Sequence, residues 1–301
     1  MSVKAKKSIK TSKQDTLFYA VIYAVILLIL IILLWPLIFI VSSSLSSKEA
    51  VMAGRVFLLP VNFSLEGYKA VFQTNEVLIG FRNTVLYTLF GTMLNVALTL
   101  IAAYPLSRKD LPYRRMWSLI FTFTMIFSGG MIPTYMVVNK LGLMNSPLAM
   151  ILPTAMSVYN LMIARTFMEN SIPSELLEAA RVDGCDDIAY FWKILLPLSK
   201  PVIAVITLYY AVAHWNSYFN AFLYITDAKL NPLQIVLRNI LLANQIDTAM
   251  TTDFDTMTSK QGLADVLKYS LIVVSTLPVM IMYPFVQKYF TKGVMIGAVK
   301  G

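Results

Sequence analysis

Long apolar runs alternate with shorter polar segments along the whole chain. Six of the runs are long enough to cross a bilayer as a helix, which takes about 20 apolar residues. The predicted membrane-spanning helices are approximately Leu17–Val41, Asn83–Leu106, Met116–Val138, Leu148–Phe167, Pro201–Ile225 and Val266–Phe290. The pattern therefore predicts an all-α integral membrane protein with six transmembrane helices.

The composition supports this prediction. Of the 301 residues, 57% are hydrophobic and only 14% are charged, and the mean hydropathy is +0.67, values typical of a membrane protein. The first apolar run follows a basic N-terminus, but it is too long for the apolar core of a secretory signal, and no small-residue cleavage site follows it. We therefore expect it to remain as a membrane anchor.

Lysine and arginine predict how the chain is oriented. Most of the 25 basic residues fall in the N-terminus, after the second span, between the fourth and fifth spans, and after the sixth span. The positive-inside rule places these segments, and hence both termini, on the cytoplasmic side of a plasma or inner membrane. The net charge of +9 needs no nucleic-acid partner, because the basic residues lie at span ends rather than on one soluble surface.

The sequence offers little catalytic chemistry. A single cysteine, Cys185, excludes an internal disulfide and a cysteine metal cluster, and a single histidine, His214, excludes a paired-histidine metal site. No G-x-x-x-x-G-K-[ST] phosphate-binding motif occurs, so any ATP must bind a separate subunit. We predict that the chain is not an enzyme and holds no metal and no cofactor of its own.

The polar loop between the fourth and fifth spans carries the signals of two short helices joined by a glycine turn. Ser174 is a suitable N-cap for the first helix, and Gly184 is expected just past its end. Asp186 and Asp187 can cap the second helix, which Pro197 is expected to stop.

An exposed apolar edge is predicted on the first of these helices, formed by Leu176, Leu177 and Ala180. A short loop cannot bury such an edge by itself, so we expect the edge to dock on another protein. The alternative is an ordinary amphipathic hairpin that lies on the membrane.

The same loop contains Glu-Ala-Ala, then three residues and a glycine, then nine residues and Ile-x-Leu-Pro. This spacing resembles the coupling loop of permease subunits of ATP-driven (ABC) importers that depend on a substrate-binding protein. The resemblance implies a type I ABC importer transmembrane-domain fold, in which this loop contacts the ATPase. The residues that the resemblance assigns to coupling are Glu178, Ala179, Ala180, Asp183, Gly184, Ile194, Leu196 and Pro197.

The implied organisation has four parts. They are a basic cytoplasmic N-terminus at 1–16, a first transmembrane helix with an external loop at 17–82, an importer core at 83–291 with the coupling loop at 169–200, and a cytoplasmic tail at 292–301.

A narrower resemblance covers the chain from about residue 59 to its end. It is to the maltose-type carbohydrate uptake permeases and, through the run 127–135, to a subgroup for complex oligosaccharides; the other segments are 60–72, Trp215-Asn216, Phe219 and 292–301. The resemblance implies a second, different permease, two ATPase subunits that bind ATP and Mg, and an extracytoplasmic sugar-binding protein. It also implies that the other permease holds most of the sugar.

Polar residues within the spans mark a candidate translocation pathway, because an unpaired polar group is unfavourable in hydrocarbon. Asn216 and Asn220 are one turn apart and are expected to share a helix face, where aromatic rings and carboxamides suit sugars. The alternative is that these asparagines hydrogen-bond neighbouring helices together. His214 is expected to be a packed core residue rather than a proton relay.

The third span is interrupted by two glycines and a proline, which predict a kink or a local opening of the helix. Pro153 in the fourth span and the two prolines of the sixth, Pro278 and Pro284, predict similar bends. The complete candidate pathway set is Gly129, Gly130, Tyr135, Asn160, Trp215, Asn216, Tyr218 and Asn220.

Two long external loops are predicted at 42–82 and 226–265. They can form a landing surface for the binding protein, or short helices that cap the bundle, or both.

The C-terminal tail alternates small and apolar residues between lysines, whereas a plain terminus would be polar. The maltose-type resemblance implies that it inserts between the ATPase subunits, with Gly293 and Gly297 permitting close approach and Lys300 meeting acidic groups. The alternative is that its lysines only anchor the membrane edge.

The sequence therefore predicts a permease subunit that forms half of the translocation pathway of an oligosaccharide importer. The first alternative is a permease for another solute, such as peptides or amino acids. A multi-span membrane enzyme or a channel is a further alternative.

Overall fold

The structure is a computed structural model that describes residues 13–250 and 254–297. Within these ranges the chain is helical, apart from connecting segments and one isolated antiparallel bridge between Ser46 and Phe63. The α-helices are α1 Lys13–Ser44, α2 Lys48–Met52, α3 Glu66–Gln73, α4 Asn75–Ser107, α5 Arg114–Ile126, α6 Met131–Lys140, α7 Leu148–Ile151, α8 Val158–Ser171, α9 Glu175–Val182, α10 Asp187–Tyr190, α11 Leu196–Leu198, α12 Lys200–Trp215, α13 Phe219–Tyr224, α14 Leu233–Met250 and α15 Phe254–Gly297.

The chain divides into two compact units. The first comprises Met1–Val71 and Thr248–Val273, and the second comprises Phe72–Asp247 and Val274–Gly301. Three helices of the described residues are long and apolar enough to span a membrane, namely α1, α4 and the Ala264–Phe285 part of α15. Three bent helix pairs bring the possible number of spans to six, which agrees with the predicted number.

In the first unit, α1 exposes its apolar side chains on all sides along its predicted span, as a helix surrounded by lipid would. Serines at its C-terminal end anchor the following loop: Ser42 Oγ donates to Leu58 O at 2.7 Å, and Val61 N donates to Ser46 Oγ at 3.0 Å. The segment 42–82 contains α2 and α3, so the predicted short helices are present there. Gly67 of α3 lies so close to Val266 that a Cβ would be 2.9 Å from the Val266 carbonyl oxygen.

In the second unit, α4 is the central helix and packs against α12 and α8. Its buried face is rich in small and polar residues, which let neighbouring helices approach closely. Two of the polar ones satisfy backbone carbonyls of neighbouring segments: Asn83 Nδ2 donates to Lys229 O at 2.8 Å, and Asn95 Nδ2 donates to Thr154 O at 2.9 Å. These two asparagines thus satisfy backbone groups where the neighbouring helices are short or broken.

The third and fourth predicted spans are bent. The axes of α5 and α6 differ by 107°, and the break contains Gly129 and Gly130, the latter at φ +87°. The predicted kink is confirmed. In the fourth span, α7 and a 3₁₀ turn that contains Pro153 meet α8 at 53°. The sixth span is not interrupted in this way, because α15 continues as one helix through Pro278 and Pro284.

The prediction of a continuous fifth span at Pro201–Ile225 was wrong. Helix α12 ends at Trp215, residues 216–218 are not helical, and α13 begins at Phe219. The helix preceding α12 is bent from it by 80°. Asn216 and Asn220 therefore do not share one face of a regular helix, because the break resets the helical phase between them.

Candidate functional site

The predicted helix, glycine turn and helix are present at the coupling motif. The first helix, α9, ends in a Schellman motif in which Cys185 N donates to Ala180 O at 2.8 Å and Gly184 N donates to Arg181 O at 3.0 Å. Gly184 has φ +75°, the left-handed conformation that glycine adopts without strain. The sequence prediction of Gly184 as the turn residue is confirmed.

The two predicted N-caps differ in outcome. Asp186 caps α10, because Ala189 N donates to Asp186 Oδ1 at 2.7 Å. Ser174 occupies the N-cap position of α9, but its side chain makes no capping hydrogen bond. Its backbone is already helical, at φ −63° and ψ −26°, whereas a capping side chain needs an extended backbone.

The prediction that Pro197 stops the second helix was wrong. A π-helical segment, Phe191–Leu195, follows α10, and Pro197 lies inside α11, which continues to Leu198. Proline lacks a backbone N–H, and it is tolerated at the first turn of a helical segment, where that N–H has no partner. Among the coupling residues, Pro197 is exposed, and Ile194 and Leu196 are half-buried.

The predicted apolar edge is present only in part, because Leu176 is 38% exposed, whereas Leu177 is half-buried and Ala180 is buried. Ala180 is only 6% exposed and packs in the second unit's own core with the partly buried Leu177. The outward side instead presents Val182 and Ile188, which are 88% and 71% exposed. Glu178, Ala179 and Asp183 are exposed beside them. The hairpin therefore has an apolar inner face that docks on its own chain and a second apolar face that nothing in its unit covers.

An ion-pair network that the sequence did not predict fastens this hairpin. Arg108 donates to both carboxylate oxygens of Asp110, Nε to Oδ1 at 2.8 Å and Nη2 to Oδ2 at 2.5 Å, and its Nη1 lies 2.5 Å from Asp187 Oδ1. Arg181 Nη2 donates to Asp110 Oδ2 at 2.8 Å. The short loop after α4 thus links α9, through Arg181, to α10, through Asp187.

This geometry perturbs the protonation of Asp110. The Arg108 guanidinium, and then that of Arg181, hold the pKa of the Asp110 carboxyl well below its usual range. The hydrogen bonds that Arg108 itself donates raise its pKa above the usual value, with the bond to Asp110 contributing most. A second set of pairs lies nearby, where Glu169 accepts from Arg114 at 2.5 Å and lies 3.5 Å from Arg165.

The candidate pathway residues differ in their burial and in the contacts they make. Trp215 is buried and donates its Nε1 hydrogen to Ser275 O at 2.8 Å. Asn160 is buried too, whereas Asn216 is exposed and Asn220 half-buried. Tyr135, in α6 after the Gly129-Gly130 break, stacks on Tyr224 with ring centroids 6.2 Å apart.

Tyr218 is different, because it belongs to an aromatic group with an arginine. Its ring stacks on Phe222 with centroids 5.9 Å apart. The guanidinium carbon of Arg238 lies 5.7 Å from the Tyr218 centroid and 5.1 Å from the Phe222 centroid. Sequence reasoning did not single out Phe222 or Arg238, because Arg238 lies in a different helix.

His214 is a packed residue, as predicted. It is 5% exposed, and its Nε2 lies 3.2 Å from Asn95 Nδ2. Because that Asn95 amide donates, the imidazole Nε2 is the acceptor. A Cβ on Gly91 would overlap the imidazole ring, so only glycine fits opposite His214 without a shift.

Comparison with known proteins agrees with this arrangement. Residues 81–296 match the family model described as "Binding-protein-dependent transport system inner membrane component". The chain is 42% identical over 289 residues to the polygalacturonan/rhamnogalacturonan transport system permease protein YtcP of Bacillus subtilis, covering 96% of this chain and all of that protein. It is 41% identical to Protein LplC of the same organism, covering 88% and 89% of the two chains.

A solved structure is similar over nearly the whole chain. It is a chain of a bacterial ABC transporter involved in the import of the acidic polysaccharide alginate, with a TM-score of 0.85 and 33% identity over 94% of this chain and all of that one. The match includes the all-α type I permease fold. The chain belongs to the family of binding-protein-dependent transport system inner membrane components, as a transport subunit of an ABC importer and not an enzyme.

Proposed function

We propose that this chain is the permease subunit of an oligosaccharide importer, in which it forms half of the translocation pathway. The substrate class is supported by two relatives, one named for polygalacturonan and rhamnogalacturonan and one described by its import of alginate. Because that alginate is called acidic, oligosaccharides that carry carboxylates are the first substrates to test. A permease for peptides or amino acids is the competing function, and a membrane enzyme or channel has no further support.

The observation that carries the coupling role is the ion-paired hairpin with an uncovered outer face. We infer that Val182 and Ile188, flanked by Glu178 and Asp183, dock on an ATPase subunit, and that ATP and Mg bind there. Helix α12 begins two residues after α11 ends, so a displacement of the hairpin would act directly on a membrane helix. In this proposal, ATP-driven closure of the ATPases moves α12 and alternates access to the cavity.

The pathway assignment remains a proposal for the whole candidate set. Exposure supports Asn216 as a contact of the solute, whereas burial favours the packing alternative for Asn160 and Trp215. Gly129 and Gly130 support a pathway role through the opening of the third span.

The partners and orientation complete the proposal. We infer a second permease, two ATPases and an extracytoplasmic sugar-binding protein, with both termini cytoplasmic and the loops around 42–82 and 226–265 facing the binding protein. The C-terminal docking proposal concerns Gly293, near the end of α15, Gly297, its last residue, and Lys300, which lies outside the described residues.

The test is reconstitution of the purified complex in proteoliposomes with labelled solutes. ATP-dependent uptake of oligosaccharides, with no uptake of peptides or amino acids, is the expected result. Uptake of peptides or amino acids alone would favour the competing function. Failure of the chain to co-purify with any ATPase would contradict the coupling role as well.

A further inference from the structure

Arg238 lies in an unusual position for a charged side chain. It is half-buried on α14, and its guanidinium carbon lies over two aromatic rings, 5.7 Å from the Tyr218 centroid and 5.1 Å from the Phe222 centroid. The two rings are nearly parallel, with planes 19° apart, and come from one turn of chain around the start of α13. The three side chains form what we call the arginine–aromatic platform.

Among the side chains that the structure describes, which exclude 243–261, no carboxylate forms an ion pair with Arg238. Asp227, in the loop before α14, has its Oδ1 engaged by the Lys229 amide. A guanidinium on ring faces keeps its in-plane N–H donors available, because the rings interact with its π face only. The platform therefore presents a free, planar, bidentate donor beside apolar ring surface.

The location of the platform fits a role in solute contact. Tyr218 lies in the break between α12 and α13, next to the exposed Asn216. Helix α12 has 16 residues, about 24 Å of helix, and its other end adjoins the coupling hairpin. The platform and the hairpin thus lie at opposite ends of one helix, as expected for a solute contact and an ATPase contact.

We propose that Arg238, with Tyr218 and Phe222, binds a uronic acid unit of an acidic oligosaccharide. The sugar's C–H face stacks on the exposed Phe222 ring, and the carboxylate accepts two N–H bonds from the guanidinium. Such recognition is specific for acidic sugars, because a neutral sugar leaves the arginine without its anion. This inference rests on the proposed sugar-import function and adds the chemistry by which the chain recognises the sugar.

The experiment compares two ligands that differ in charge. Trigalacturonate and its fully methyl-esterified form share ring stereochemistry, but only the first carries carboxylates. Binding of each to the complete importer in nanodiscs, without binding protein, is measured by saturation-transfer NMR, and ATP-dependent uptake is measured in proteoliposomes with binding protein. The variants are Arg238→Gln, Phe222→Ala and, as a matched control, Arg115→Gln, an exposed arginine of α5.

We expect Arg238→Gln to weaken trigalacturonate binding about tenfold or more, the usual effect of losing a charge-assisted pair. Binding of the methyl ester should stay within about twofold, Phe222→Ala should weaken both ligands, and Arg115→Gln should change neither. Equal weakening of both ligands by Arg238→Gln, or no weakening, would overturn the inference.

Three further outcomes test the inference or the proposed function. If Arg238→Gln instead releases the second permease or the binding protein from the complex, the arginine pairs with a partner's carboxylate and the inference is wrong. If the wild-type importer transports neither trimer nor any other sugar, the proposed function itself fails. Transport of neutral sugars only would leave that function standing and overturn the acidic-sugar site.

Discussion

Two glycines of the second unit are required for different physical reasons. Gly184 is required by its backbone, because φ is +75° while a Cβ would meet no atom within 4 Å. Gly91 is required by its surroundings, because a Cβ there would overlap the His214 ring. The first could be predicted from the helix end that precedes it. The second could not, since a sequence does not show which residue lies across a helix interface.

Gly184→Ala is therefore expected to destabilise the hairpin by about 1 kcal/mol through backbone strain alone. Gly184→Asn should retain more function, because asparagine adopts the left-handed conformation more readily. ATP-dependent uptake and co-purification of the ATPase measure the effect. An alanine variant with wild-type uptake, or an asparagine variant worse than alanine, would show that this turn does not control coupling.

Gly91→Ala is expected to lower the stability of the second unit by about 1–3 kcal/mol, the usual range for overpacking a well-packed interior. Gly129→Ala is the matched control, since its Cβ would only meet Pro133 Cβ at 3.7 Å. Thermal unfolding of the purified chain in detergent measures both. Equal unfolding midpoints for the two variants would mean that the residues around His214 shift to accommodate the added methyl group without a loss of stability.

At the scale of elements, the sequence predicted the helical hairpin but not how it is held. Its caps and turn depend on neighbours within a few residues, which the sequence shows directly. The ion pairs join Asp110 to Arg181 and Arg108 to Asp187, more than 70 residues apart in each case. Such pairs follow from the packing of α9 and α10 against α4, which a pattern of apolar residues does not specify. The same limit hid the break after Trp215, because the apolar runs on either side of Asn216 together have the length of one span.

Asp110→Asn should loosen the hairpin without unfolding the chain, because it removes the anion shared by Arg108 and Arg181. We expect faster hydrogen exchange across α9 and α10 and less uptake per ATP hydrolysed. Lys109→Gln, which removes an adjacent charge from the same loop, is the control. Exchange rates that match between the two variants would contradict an anchoring role for Asp110.

The pH dependence of this anchor follows from the lowered pKa of Asp110. A carboxyl with a depressed folded-state pKa contributes stability that is complete above its unfolded-state pKa and is lost as the pH falls through the folded-state value. The wild-type hairpin should thus keep its exchange protection from neutral to moderately acidic pH. Loss of protection at pH values above the unfolded-state pKa of aspartate would indicate that another group controls the anchor.

At the scale of the whole molecule, the six-span all-α permease was predictable because each span is set by its own apolar composition. The division into two units was not, because α15 contributes to both of them. The two functional surfaces also differ in whether the local sequence predicts them. The coupling hairpin has a local sequence motif, whereas the arginine–aromatic platform combines side chains of α13 and α14 with a helix break that has no such motif.

The last prediction concerns the C-terminal segment, where α15 continues as a helix to Gly297, beyond the span that ends at Phe285. A helix that leaves the membrane with alternating small and apolar residues needs a protein surface to cover it, since water does not favour exposed apolar groups. Deletion of residues 294–301 should therefore leave insertion and assembly intact but lower coupled ATP hydrolysis and uptake several-fold. Deletion of residues 2–10, at the basic N-terminus, is the control for the loss of terminal charge. A complex that lacks 294–301 and still hydrolyses ATP and imports solute at wild-type rates would show that this segment only anchors the membrane edge.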